Sequence, residues 1–178
     1  MNNYTEILKG VQKNDYRLQM QFYDMFAATT YQSAFSILGN SSEAEEIMQD
    51  SMLKVFTKKS LINNDENQMR KILRRIAINA AIDILRKRKN FMVFDEKNID
   101  FIDDDNVEEN TLTIENIRKG ISELALGYRT IVSLHLLENM SFDEISKQLK
   151  IAQATVRSQY SRALANLRKY LKTTIQND

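Results

Sequence analysis

The 178-residue chain is 43% hydrophobic, carries a formal net charge of +1, and contains one histidine, no cysteine and no proline. That length accommodates one domain or two small ones with packed interiors; without cysteine there is no disulfide framework, thiolate metal site or cysteine nucleophile, and a lone histidine makes no metal cluster. Four glycines, Gly10, Gly39, Gly120 and Gly127, in a chain without proline predict an all-α protein broken by few turns; no cofactor is expected.

No apolar run approaches the roughly 18 residues of a membrane-spanning helix. Met1 to Lys13 lacks the basic flank and apolar core of a leader, so no membrane insertion and a cytoplasmic address are expected. The small net charge hides strong segregation along the chain, and the helices show it in order.

Tyr4 to Lys13 reads as a short amphipathic helix, followed from about Tyr16 to Leu38 by a longer one bearing Leu18, Phe22, Phe26, Tyr31 and Phe35 and ending at Gly39 and Asn40. Ser41 or Ser42 is the expected cap of a third helix, acidic in its first turn (Glu43, Glu45, Glu46) and basic at its end (Lys58, Lys59), as the helix dipole favours. Its apolar side is Ile47, Met48, Met52, Val55 and Phe56, and Met20, Met25, Met48, Met52 and Met69 are expected to fill gaps in the core. A polar interval, Ser60 to Asn67, leads to a fourth helix from about Gln68 to Lys89. There Arg70, Lys71, Arg74, Arg75, Arg86, Lys87, Arg88 and Lys89 stand against Asp83, a net of +7 that suits phosphate.

From Phe91 to Leu112 the sign inverts. Asp95, Glu96, Asp100, Asp103, Asp104, Asp105, Glu108 and Glu109 oppose Lys97 for a net of −7, without sustained periodicity, which reads as an acidic flexible linker over 91–112. Two helical domains, 1–90 and 113–178, flank it. Thr111 or Thr113 starts a helix with Ile114, Ile117, Ile121 and Leu124; Gly127 is read as the next turn, and Tyr128 to Glu138 as a further helix that includes His135 on one face.

Ser141 and Glu144 form a capping box that opens a helix carrying Ile145 and Leu149. After a turn, Val156, Tyr160, Ala163, Leu164, Leu167 and Leu171 repeat at helical spacing as an inward stripe, with Arg157, Ser158, Ser161, Arg162, Arg168, Lys169 and Lys172 outward and a net of +5 between Gln153 and Lys172. A short capped helix, a tight turn and a basic, hydroxyl-bearing second helix are the geometry that reads a major groove. Lys150 stands where a turn glycine is expected and Ala152 where a Ser or Asp cap is expected.

Two basic helical modules about an acidic tether resemble the sigma factors of bacterial RNA polymerase, in particular the small two-domain extracytoplasmic-function group. Ser42-Glu43-Ala44-Glu45-Glu46-Ile47-Met48-Gln49-Asp50 through Phe56 is similar to that family's polymerase-docking helix. Arg75-Ile76-Ala77-Ile78-Asn79 with Asp83-Ile84-Leu85-Arg86 resembles its −10 helix, and Thr155-Val156-Arg157-Ser158 through Arg168 its −35 reader. The resemblance spans about Tyr16 to Leu171. Ile72 replaces the usual aromatic, Ala125 a common proline, and Lys150 the turn glycine.

What the resemblance implies is a sigma factor that guides core RNA polymerase to promoter DNA, with no catalytic site and with an anti-sigma factor as partner. Glu46, Gln49, Asp50 and Phe56 would dock on the polymerase. Asn64, Arg75, Asn79, Asp83, Arg86 and Lys87 would hold the melted −10 strand, because an exposed strand needs a positive track and a pocket for an unstacked base. Arg157, Ser158, Ser161 and Arg162 would read the −35 duplex, with Arg168 and Lys169 nearer phosphate. The competing readings are a two-domain helix-turn-helix regulator that acts without stable polymerase docking, and a helical interaction protein that binds no DNA. An enzyme is disfavoured, since no nucleophile and base pair or metal set is visible.

Overall fold

The computed structural model describes residues 3–88 and 113–175, and among them every regular element is helical. The acidic stretch 91–112 lies outside the described residues. The helices fall into two units, within Met1–Lys87 and Arg88–Asp178.

The first unit contains α1 (Asn3–Gln12), α2 (Tyr16–Leu38), α3 (Ser41–Thr57), a 3₁₀ turn at Lys59–Leu61, and α4 (Glu66–Lys87). In α1, Tyr4, Ile7, Leu8 and Val11 recur at i, i+3, i+4 and i+7 and all are buried. Gly10 lets this helix approach α2 closely, since a Cβ there would stand 2.1 Å from Leu18 Cδ1. Helix α2 is the central element, packed on α1, α3 and α4. Its rings form the core, with Phe22 and Phe26 centroids 4.7 Å apart and Tyr4 edge-on to Phe26 at 6.2 Å. Met48, Met52 and Met69 are buried in it, whereas Met20 is 40% exposed and fills no gap, because it lies on the outer side of α2.

Gly39 ends α2 at φ 63°, its N–H donating to Phe35 O. Asn40 then caps α3, its side chain accepting from Glu43 N at 3.0 Å. The cap is therefore one or two residues before the expected serines: the left-handed Gly39 leaves Asn40 extended, the conformation a cap requires. Helix α4 starts at Glu66, and its first-turn glutamate pairs with Arg70 at 3.0 Å. Arg70 also donates to Thr29 Oγ1 at 3.1 Å and Met25 O at 3.4 Å, and sits 5.1 Å over the Phe26 ring. It belongs to the α2–α4 packing, not to the outer cationic face on which the sequence reading counted it.

The second unit contains α5 (Ile114–Glu123), α6 (Leu126–Val132) running into a π-helical turn (Ser133–Leu137), α7 (Phe142–Leu149) and α8 (Gln153–Ile175). Thr113 caps α5 by accepting from Asn116 N at 3.1 Å. The next turn falls at Leu124–Ala125, and Gly127 lies buried inside α6 rather than marking that turn. Arg129 fixes the turn by donating to Leu124 O from Nε and Nη2, at 3.3 and 3.0 Å, and its burial lowers its pKa against the opposing charge of Glu123. Ile121, Leu124, Tyr128, Val132, Ala163, Leu167 and Leu171 form the core. Gly120 allows α8 near α5: a Cβ would meet Leu167 Cδ1 at 2.6 Å.

The capping box forms with both of its bonds. Ser141 Oγ accepts from Glu144 N at 3.2 Å, and the Glu144 carboxylate accepts from Ser141 N at 2.8 Å. Those Ser141 donors hold the Glu144 carboxyl below its ordinary range. A depressed carboxyl stabilises the fold above its unfolded pKa, and that stabilisation is lost as pH falls through the folded value. Glu144→Gln is therefore expected to be less stable than the parent at pH 7 and to converge with it in acid, as read by thermal unfolding followed by circular dichroism between pH 7 and pH 3.

Candidate nucleic-acid interface

Helix α8 displays its cations because of its register. At about 100° per residue, Arg157, Ser158, Ser161, Arg162, Arg168, Lys169 and Lys172 fall within an arc of about 140°, while Val156, Ala163, Leu167 and Leu171 occupy the other side. The structure buries the latter four and exposes Arg157, Ser158, Ser161, Arg168 and Lys169, with Arg162 and Lys172 half-buried. Gln159 is buried with the apolar set, which the sequence reading did not single out. The two serine hydroxyls donate back into the helix, Ser158 to Thr155 O at 3.0 Å and Ser161 to Arg157 O at 3.1 Å, so outward they offer acceptor lone pairs.

Sequence reasoning missed Phe142. Its ring stacks on His135 at 4.4 Å and packs against Tyr160 at 5.2 Å, and the Arg157 guanidinium lies 6.0 Å from its centroid. His135 is fixed in turn by Met140 O, 2.7 Å from Nδ1. Phe142 ties Arg157, in the second turn of α8, to the start of α7; its position directly after the capping serine was the available signal. Lys150 joins the two helices in the left-handed conformation, φ 58° and ψ 42°, its N–H donating to Ser146 O.

On α4, Arg75, Asn79, Asp83 and Arg86 follow one another at i+4, i+4 and i+3, all exposed, with Lys87 exposed beside them. Arg86 Nη1 donates to Asp83 Oδ1 at 2.9 Å, so the single acid of this row is neutralised locally. Asn64 is exposed in the loop before α4. The structure thus brings the helical residues of this set onto one face, with Ile72 half-buried on the same row.

On α3, Glu46, Gln49 and Asp50 are exposed, Gln49 Nε2 donating to Glu45 Oε1 at 3.3 Å. Leu53 continues that row at i+7 from Glu46 and is 60% exposed, an apolar side chain among carboxylates that the spacing could have marked. Phe56 is placed differently from the other three: it packs on Phe22 at 5.7 Å against the core. Among the described residues no helix is long and apolar enough to cross a membrane, and no group of three or more His, Asp or Glu side chains is arranged to hold a metal ion.

Residues 22–91 match the sigma-70 region 2 family, and residues 114–167 match sigma-70 region 4. The chain is 29% identical to the RNA polymerase sigma factor SigV of Bacillus subtilis, over 78% of this chain and 81% of that protein. It is 28% identical to the ECF RNA polymerase sigma factor SigW of the same bacterium, over 93% of this chain and 95% of that one. Its fold is similar to that of the sigma factor RpoE, solved in complex with the anti-sigma factor NepR from Bartonella quintana, at TM-score 0.51 and 21% identity over 86% of this chain and 96% of that one.

The left-handed Lys150 carries a Cβ penalty of about 1–2 kcal/mol, against about 0.5–1 kcal/mol for the extra chain entropy of glycine. Lys150→Gly is therefore expected to stabilise the α7–α8 unit by about 0.5–1 kcal/mol in urea unfolding, where an unchanged or lower midpoint would show that the turn is unstrained.

Proposed function

The chain belongs to the extracytoplasmic-function group of the sigma-70 family, a sigma factor directing core RNA polymerase to promoters in transcription initiation, and on that premise we propose how its residues divide the task. The observation that carries the division is the order of the two matched regions, the first with exposed rows on α3 and α4 and the second with one on α8. The α3 row of Glu46, Gln49, Asp50 and Leu53 docks on a basic, partly apolar surface of the polymerase. The α4 row of Arg75, Asn79, Asp83, Arg86 and Lys87, with Asn64 in the preceding loop, takes the melted −10 strand: the cations follow its phosphates, and the amides and Asp83 meet base edges.

Helix α8 reads the −35 duplex. Arg157 and Arg162 approach base edges, Ser158 and Ser161 accept from base amino groups, and Arg168, Lys169 and Lys172 meet phosphate further along the groove. Domains of 1–90 and 113–178 with an acidic linker over 91–112 are the organisation we assign, with no reaction catalysed by the chain, a cytoplasmic site of action and an anti-sigma factor as regulatory partner. A regulator that binds duplex on its own would leave the α3 row and the region 2 match without a role.

Two measurements test these assignments. Glu46→Lys with Asp50→Lys is expected to weaken binding to purified core polymerase more than tenfold, about 1.4 kcal/mol, while the circular dichroism spectrum is retained; unchanged affinity removes α3 as the docking face. Arg157→Ala is expected to cost about 1–3 kcal/mol and to relax preference within the −35 block, whereas Lys172→Ala weakens all promoter variants alike. If both substitutions act uniformly across variants, α8 is not the reader.

A further inference from the structure

Helix α1 precedes the residues matched to the sigma-70 family, which begin at residue 22, and the division of roles above gives it no part. Its contacts nevertheless converge on one place. Tyr4, in its first turn, is 3% exposed, and the hydroxyl donates to the backbone carbonyl of Asn63 at 2.8 Å, across 59 residues of sequence. Burial, and after it the negative charges of Glu66 and Asp65, push the Tyr4 phenol up to about 12, so it remains a protonated donor. At the other end of α1, Lys59 Nζ donates to Val11 O and, at 2.7 Å, to Asn14 Oδ1. Val11 O is one of the last carbonyls of α1; it also accepts from Asn14 N at 3.3 Å, and the negative end of the helix dipole there favours a cation.

Lys59 opens the 3₁₀ turn and Asn63 lies in the segment 62–65 between that turn and α4, so one helix holds this stretch at two points. Local bonds fix what remains. Asn63 N donates to Met69 Sδ at 3.5 Å, Asp65 N to Asn63 Oδ1 at 2.8 Å, and Gln68 N to Asp65 Oδ1 at 3.0 Å. Leu61 and Ile62 pack partly buried against the core. Asn64 is left exposed between two tethered neighbours.

We propose that α1 is a brace that presets the loop Lys59–Asp65 for −10 recognition, with Tyr4 and Lys59 as positioning residues and Asn64 as the group they present to an unstacked base. This rests on the assignment of that loop to the −10 strand. A flexible loop must lose backbone freedom before it can discriminate among bases, and that loss is subtracted from the binding of the correct one. A loop already held at two points by α1, and locally beyond Asn63, admits the matching base without reordering and keeps a mismatched base from being accommodated by yielding. Tyr4→Phe keeps the buried ring and removes the donor; Lys59→Met keeps the aliphatic stem and removes the ammonium.

The test uses the full chain assembled with core RNA polymerase on a promoter library in which the −35 block is held constant, taken from fragments selected by the parent holoenzyme, and the −10 block is randomised. Open-complex yield for each sequence is read by sequencing, and core affinity and duplex −35 affinity are measured in parallel. The expected result is that Tyr4→Phe and Lys59→Met each reduce discrimination between the best and single-mismatch −10 sequences about fivefold or more, as Asn64→Ala does, with core and −35 affinities within twofold of the parent. If Asn64→Ala reduces discrimination and the two brace variants do not, the brace is wrong and the loop assignment stands. If all three match the parent, both are wrong. If the brace variants lower core, −35 and −10 binding in proportion, their contacts serve only folding and the positioning role is overturned.

Discussion

The helices α3, α4 and α8 each have one apolar side and one ionised side, and burying the first decides what the second can touch. Val156, Ala163, Leu167 and Leu171 are at most 6% exposed, and once they face the core of their unit the register of an α-helix leaves Arg157, Ser161 and Arg168 in water. The same holds on α3, where burying Ile47, Met48, Met52 and Val55 exposes Glu46, Gln49, Asp50 and Leu53. The proposed function relies on rigid rods whose rotation about their own axes is set by hydrophobic contact, so that each charged row keeps its face exposed.

Cations accordingly divide into two populations. Arg70 and Arg129 are drawn inward as multivalent donors, the first joining α4 to Thr29 and Met25 on α2, the second closing the α5–α6 turn on Leu124 O. A planar fork of donors suits that task better than an ammonium. Arg75, Arg86, Lys87, Arg168 and Lys169 stay in solvent, where attraction to phosphate is long-ranged and screened by salt. Arg157 stands between the two groups, exposed but held near the Phe142 ring, an arrangement that lowers the conformational freedom it would lose in the proposed contact with a base.

Much of the fold was legible because it depends on local rules. The bounds of α2 follow from Asp15 before it and Gly39 after it, and the start of α7 from Ser141 and Glu144. Errors arose where two local rules competed or where a contact was distant. Asn40 outcompeted Ser41 and Ser42 as a cap because the left-handed glycine before it set its backbone; Gly127 went into a helix interior because Arg129 had already closed the turn at Leu124. Met20 and Arg70 were misassigned because a side chain's destination depends on the partner helix, which periodicity does not name. The proposed site residues rest on motif resemblance rather than on physics, and the long-range ties of Tyr4 to Asn63 and Lys59 to Val11 had no local signal at all.

The central claim is that this chain gives promoter choice to a polymerase that lacks it. Transcription of fragmented genomic DNA by purified core RNA polymerase, with and without the chain, followed by mapping of the 5′ ends of the transcripts, tests it most directly. The account predicts a set of start sites that appear only with the chain and share two upstream sequence blocks, near −35 and −10. Start sites that are the same with and without the chain, or fragments bound equally well by the chain in the absence of polymerase, would contradict it.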